Sequence, residues 1–158
     1  MAINDYQGAK GAIDVVERDF NKFIKVYNDL GSAVTNGDVY HLSYERDADS
    51  LTVAGRPTLV ACATTSVPRQ TVVVNNTILG ESTIADQAWG YVQIQGYCPK
   101  IKVASTVAID DYLQGANGSQ EAADDGTSQT TDSFGIALSA YSSGYAEGLL
   151  FGISAIIG

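Results

Sequence analysis

Apolar positions in this chain fall mostly in short runs with a period of two, separated by Gly, Asn, Asp and Pro. Alternation of this kind predicts half-buried β-strands, and the punctuating residues predict the turns between them. Strands are expected over 39–44, 51–54, 59–63 and 71–74. An Asn75-Asn76 turn should lead into a further strand at Ile78-Leu79. From Trp89 to Cys98 the alternation is cleanest, with Tyr91, Gln93 and Gln95 on one face and Val92, Ile94 and Gly96 on the other. The run resumes at Ile101-Lys102-Val103 after Pro99, and 134–140 and 149–157 read as two closing strands joined across Ser142-Ser143-Gly144. Nine or ten short strands predict an all-β barrel or sandwich of antiparallel strands.

Two segments break the pattern. Residues 1–19 are polar, with Gly8 and Gly11 and no long apolar run, and are expected to form an N-terminal arm. Ile13, Val16, Phe20, Ile24 and Tyr27 recur at helical spacing, which allows a helix over about 12–24. Phe23-Ile24-Lys25-Val26-Tyr27 is β-branched and aromatic, so an arm with at most a short helix, then a strand from about 20, is the favoured reading. Residues 115–133 hold no large apolar side chain and predict a long exposed loop or ribbon tip. The expected organisation is an arm at 1–19 and a single β domain at 20–158.

One phrase recurs. Ser32-Ala33-Val34-Thr35-Asn36-Gly37-Asp38 and Ser105-Thr106-Val107-Ala108-Ile109-Asp110-Asp111 share Ser-x-Val-x-x-x-Asp followed by a strand, and Ser82-Thr83-Ile84-Ala85-Asp86 reads as a degraded third copy. Each predicts a turn feeding a strand, because Asn, Gly and Asp accept turn geometry that β-branched residues resist.

Composition narrows the function classes. Only 17 % of residues are charged and 45 % are apolar, which argues against a helical bundle. The net charge of −9 repels phosphate backbones, so no nucleic-acid partner is expected. At 158 residues a core forms without disulfides or metal. Cys62 and Cys98 read as buried thiols of a reducing compartment, with a single disulfide as the alternative. The polar start lacks a basic signal region, and the apolar stretch at 149–157 is too short to span a bilayer, so a soluble protein made in the cytoplasm, with no membrane partner, is expected.

Catalytic chemistry finds little support. The single histidine, His41, sits in an expected strand, and no nucleophile motif accompanies it. One His and two separated Cys do not make a zinc site. The acids Asp47, Asp49, Asp110, Asp111, Glu121, Asp124, Asp125 and Asp132 lie mostly in expected loops, where solvated carboxylates are the simpler reading than a glycosidase pair or a Ca²⁺ site. No catalytic residue, metal or cofactor is assigned. Asn75-Asn76-Thr77 and Asn117-Gly118-Ser119 match a glycosylation pattern that is common by chance.

Interface chemistry is better represented. Tyr91 and Tyr97 should share a face with Gln93 and Gln95, and tyrosine is enriched at protein interfaces. Phe151 and Ile153 belong to an apolar run that exceeds what one strand face needs, which points to a homo-oligomer, a trimer being favoured. Ile3, Tyr6, Ile13 and Val16 make the arm too apolar for a purely solvating tail, so it is expected to order against a partner.

The segment at 23–29, Gly37-Asp38-Val39, the 88–98 strand, Ile109-Asp110-Asp111-Tyr112-Leu113 and the closing Phe134-Gly135-Ile136-Ala137-Leu138 resemble tailed-phage capsid decoration (cement) proteins and related head-fibre bases. The resemblance covers about 20–158. It implies a small β-barrel or β-clip-like module, often trimeric, that binds the major capsid protein on the outside of a head assembled in the host cytoplasm, with no catalysis. A receptor- or glycan-binding virion appendage is the alternative.

Overall fold

The computed structural model describes residues 15–18, 20–43, 57–63 and 70–152. Among them are twelve strands and one 3₁₀ turn. In chain order the strands are β1 (Val15–Arg18), β2 (Asn21–Asn28), β3 (Val34–Thr35), β4 (Val39–Ser43), β5 (Thr58–Val60) and β6 (Thr71–Val74), then β7 (Thr83–Ile84), β8 (Ala88–Lys102), β9 (Tyr112–Gly115), β10 (Ala122–Asp124), β11 (Gly135–Ala137) and β12 (Tyr145–Phe151). The fold is all-β, as the period-two pattern predicts.

The organising element is β8, a strand of 15 residues. Its first half pairs with both β2 and β6, and β2 reaches β6 the other way through β5 and β4. These five strands therefore close into a ring. The closure between β2 and β5 is parallel and short, through Tyr27 opposite Thr58, with the Tyr27 amide donating to the Pro57 carbonyl at 2.9 Å. Ile24, Val26, Tyr40, Leu42, Leu59, Val72, Val74, Val92 and Ile94 fill it, and the small β3–β7 ribbon adds Val34 and Ile84.

The second half of β8 pairs with β12, and the sheet continues through β11 and β9 to β10. It then curls back to the end of β8, where Val103 bridges Ala122 and the Ala104 amide donates to the Ala122 carbonyl at 2.8 Å. A second core lies inside, made of Cys98, Ile101, Val107, Leu113, Phe134 and Leu150 with smaller neighbours. Val39 and Val73 join it from the outer side of the first ring. That is why β4 and β6 are buried on both faces and read as continuous apolar runs.

The two halves meet at a buried amide. Gln93, wholly buried, accepts from Asn75 Nδ2 at 2.9 Å and donates to the carbonyls of Gln95 at 3.1 Å and Tyr97 at 2.8 Å. Gly96 sits between those carbonyls at φ +93°, where β2 shifts register against β8. A Cβ there would run into the Asn21 side chain, so only glycine lets β2 and β8 approach.

Several expectations are corrected. The end of the polar N-terminal stretch is a strand: β1 pairs along its length with β2, and Val16 packs against Phe23, Tyr91 and Ile78. No helix forms over the described part of 12–24, because the β-branched content of 21–28 is used in pairing to β8. Ile78 and Leu79 lie in a 3₁₀ turn (Asn76–Leu79) and not in a strand. The Asn75 side chain caps that turn, and Gly80 ends it at φ +72°. Of the two readings of 115–133, the single loop fails and the ribbon holds in part, since β10 pairs antiparallel with β9. Ala122 of β10 is fully buried, because a small side chain suffices where the backbone pairs on both sides. The expected strand at 51–54 lies outside the described residues.

Candidate functional site: an apolar sheet face

Cross-strand partners place their side chains on the same face of a sheet. On the outer face of the second half, Tyr112 is opposite Ile136, Ile136 opposite Leu149, and Leu149 opposite Tyr97. This row crosses four strands, and with strand spacings of about 4.8 Å it is roughly 14 Å wide. Phe151 flanks it, its ring 6.0 Å from that of Tyr112. Leu138 flanks it on the other side, its amide donating to the Glu147 carbonyl at 2.8 Å. Tyr97, Leu149 and Leu138 are 44 %, 42 % and 40 % exposed. The inward residues of the same strands, Leu113, Leu150 and Cys98, are buried in the second core. Alternation thus leaves a contiguous apolar surface that the described residues do not cover.

Its surroundings are mainly acidic, the exceptions being Lys100, whose ammonium lies 4.4 Å from the Tyr145 ring centroid, and Lys102, 3.7 Å from Asp38. From 103 to 158 every charged side chain is Asp or Glu. Glu147 lies within the face, and its carboxylate accepts from the Tyr97 hydroxyl at 2.9 Å. That bond, chiefly, holds the Tyr97 phenol pKa above its ordinary value. Asp110 borders the face through its amide bond to the Ala137 carbonyl at 2.8 Å, and Asp125 borders it through its amide bond to the Tyr112 carbonyl at 2.8 Å.

The expected interface residues do not gather in one place. Tyr97 and Phe151 lie on this face, Phe151 half-buried. Tyr91 does not join Tyr97 on an exposed surface. It is 7 % exposed beneath Val16 and Phe23, while Gln93 is in the interior and Gly96 interrupts the alternation. Gln93 is interior because β2 and β6 pair on either side of it, a burial its own stretch of sequence does not signal. Val16 is likewise covered by this chain's own side chains. Ile3, Tyr6, Ile13 and Ile153 lie outside the described residues. Sequence reasoning missed Tyr112, Ile136 and Leu138, whose outward direction follows only from register.

A smaller aromatic site stands on the first ring. Trp89 is 44 % exposed, meets Tyr27 edge-on at 5.4 Å between ring centroids, and has the Lys25 ammonium 5.6 Å from its own centroid.

Groups suited to catalysis are not assembled. His41 is buried, its Nδ1 accepting from the Ala63 amide at 3.5 Å. Among the described residues no group of three or more His, Cys, Asp and Glu could hold a metal ion. Cys62 and Cys98 are buried and unbridged; burial pushes the Cys62 thiol up to about 12 and the Cys98 thiol up to about 11, far from the range of reactive thiolates. Asp125 is engaged by the hydroxyls of Thr130 and Ser133. Among the described residues no helix is long and apolar enough to cross a membrane.

No protein-family model and no curated protein sequence matches the chain. One solved structure is similar in fold: the head fibre gp8.5 N base in bacteriophage phi29, with 13 % identity, a TM-score of 0.51, and coverage of 82 % of this chain and 92 % of that one. In fold, then, the chain resembles a phage head-fibre base.

Proposed function

We propose that this protein is a structural component of a phage virion, a decoration protein or head-fibre base that docks on the outer surface of the capsid and performs no catalysis. The observation that carries this reading is the fold likeness to a head-fibre base over nearly the whole of that chain. The large apolar face, the lack of an assembled catalytic group among the described residues and the acidic charge are consistent with it. The partner proposed is the major capsid protein, with the chain itself forming a homo-oligomer, a trimer in the favoured case. Neither nucleic acid nor membrane is a proposed partner. Ile3, Tyr6, Ile13 and Ile153 are proposed as further contacts made by the chain's two ends. The test is quantitative mass spectrometry of purified particles, with antibody labelling to locate the protein. Hundreds of copies on the head support decoration; absence from the particle refutes the reading.

The exposed Trp89, with Tyr27 and Lys25 beside it, favours a second reading, a glycan- or receptor-binding appendage. Sugar binding abolished by Trp89→Ala, with few copies per particle, would select it.

A further inference from the structure

We infer that the Tyr97–Leu149–Ile136–Tyr112 face is the surface that docks on the capsid shell, and that it meets an apolar patch of the shell protein edged by Lys and Arg. The inference rests on the virion reading and adds to it the face and the charge of its partner.

The face is set by register and not by chance exposure. Four in-register residues on four consecutive strands project outward, with Phe151 and Leu138 extending the row at either side. A surface of this continuity is unfavourable in water, and burying it against a matching patch supplies the binding energy.

Charge selects among occupants. Past β8 the half of the chain that carries the face has no cation. Lys100 and Lys102 at the end of β8 are engaged by the Tyr145 ring and by Asp38, and Glu147, Asp110 and Asp125 lie in or beside the row. Two copies joined through this face would oppose Glu147 and Asp110 to like charges, which disfavours association. A second copy offering its β1–β2 side is also a poor match. There Lys22 pairs with Glu17 at 3.3 Å and Lys25 lies over Trp89. A partner with free Lys and Arg around an apolar centre satisfies both properties of the face.

The test uses the full-length protein and purified heads that lack it, with binding read by co-sedimentation and folding by near-UV circular dichroism. Leu149→Asp should weaken binding by about tenfold or more, as truncation at an interface centre does. Leu138→Asp, at the margin of the face, serves if Leu149→Asp fails to fold. Glu147→Lys, which reverses the charge lying within the face, should weaken binding similarly. Raising salt from about 0.05 to 0.5 M should weaken the natural protein more than this charge-reversed variant. Trp89→Ala should bind normally. If the natural protein binds heads and folded face variants bind equally well, the face is wrong and the virion reading stands. If the natural protein does not bind heads at all, both fall. Should Leu149→Asp convert an oligomer to monomers with head binding intact, the occupant is a second copy and the inference is overturned. It is also overturned if Leu149→Asp and removal of 153–158 lower the melting temperature alike and leave head binding unchanged, since the chain's own end then covers the face.

Discussion

The carboxylate of Asp38 accepts a hydrogen bond from the amide of Thr35 at 2.9 Å, closing the turn that leads into β4. Asp111 does the same for the amide of Ala108 at 2.7 Å, before β9. In both turns the residue ahead of the Asp has positive φ, +102° at Gly37 and +69° at Asp110, and Val34 and Val107 at the start are buried. The third phrase keeps the backbone and loses the carboxylate. Ile84 is buried and Gln87 has φ +55°, but Ala88 stands at the Asp position. One turn design thus launches β4, β8 and β9, and in two of the three a carboxylate satisfies an amide that would otherwise be left unpaired.

We expect Asp38→Ala and Asp111→Ala each to cost about 1 kcal/mol, the net worth of such a bond. The two share no hydrogen-bond partner, so the double variant should cost close to the sum. The Lys102 ammonium, 3.7 Å from Asp38, adds little because that lysine is 37 % exposed. Urea denaturation of both single variants and the double variant measures this. No loss at Asp111 would show the turn to be set by backbone preference alone.

Gln93→Leu should be far more damaging than its surface-like sequence context suggests. It deprives the Asn75 amide and the Gln95 and Tyr97 carbonyls of a partner at the junction of the two halves. Stranding buried polar groups costs about 2–4 kcal/mol in total. Thermal unfolding should show a large drop in melting temperature, whereas Gln95→Leu, at a half-buried position, should be close to neutral.

The all-β class was legible because period-two alternation is a local signal, and the repeated turn was legible because Asn, Gly and Asp act within four residues. Ring closure was not. That β8 serves both halves depends on pairings such as Phe23 with Gln93 and Tyr97 with Leu149, far apart in sequence. The same non-locality hid the burial of Gln93 and the strand character of Val15–Arg18, whose apolar Val16 needs Tyr91 as its counterpart. Asn75 misled because its side chain caps a 3₁₀ turn where its sequence context suggested a simple turn into a strand. At the candidate face, the excess of apolar residues around Leu149 and Phe151 was visible. Tyr112, Ile136 and Leu138 were not, since nothing in their immediate sequence says which way they point.

Stability should fall at alkaline pH. Burial raises Cys62 from 9.0 to about 12 and Cys98 from 9.0 to about 11, and burial with the nearby Asp38 carboxylate raises Tyr40 from 10.0 to about 12. A raised folded-state pKa means the folded chain holds these protons more tightly. The stabilisation is complete below the unfolded values and is lost as pH climbs through the folded ones, from about 9 to about 12. Denaturation midpoints should decline across that window, and Cys62→Ala should flatten the decline. Below pH 8 both thiols should resist a thiol reagent until the protein unfolds. Fast labelling of the native protein would contradict their burial.

The last prediction separates the β1 strand from what precedes it. A chain starting at Val15 keeps the β1–β2 hairpin, in which Val16 lies opposite Phe23 and covers Tyr91. A chain starting at Phe20 loses that cover and exposes Phe23 and Tyr91, which are 6 % and 7 % exposed in the whole structure. Removing the buried Val16 side chain alone forfeits about 1.5 kcal/mol, and uncovering two aromatic rings adds to the loss. The Phe20 chain should therefore melt well below the Val15 chain and bind a hydrophobic dye that the longer one excludes. Val16→Ala in the full protein should reproduce part of the effect, about 1–2 kcal/mol for a buried β-branched residue reduced to a methyl. Equal melting temperatures for the two truncations would mean that β1 only rests on the barrel and that the boundary of the folded unit lies after it.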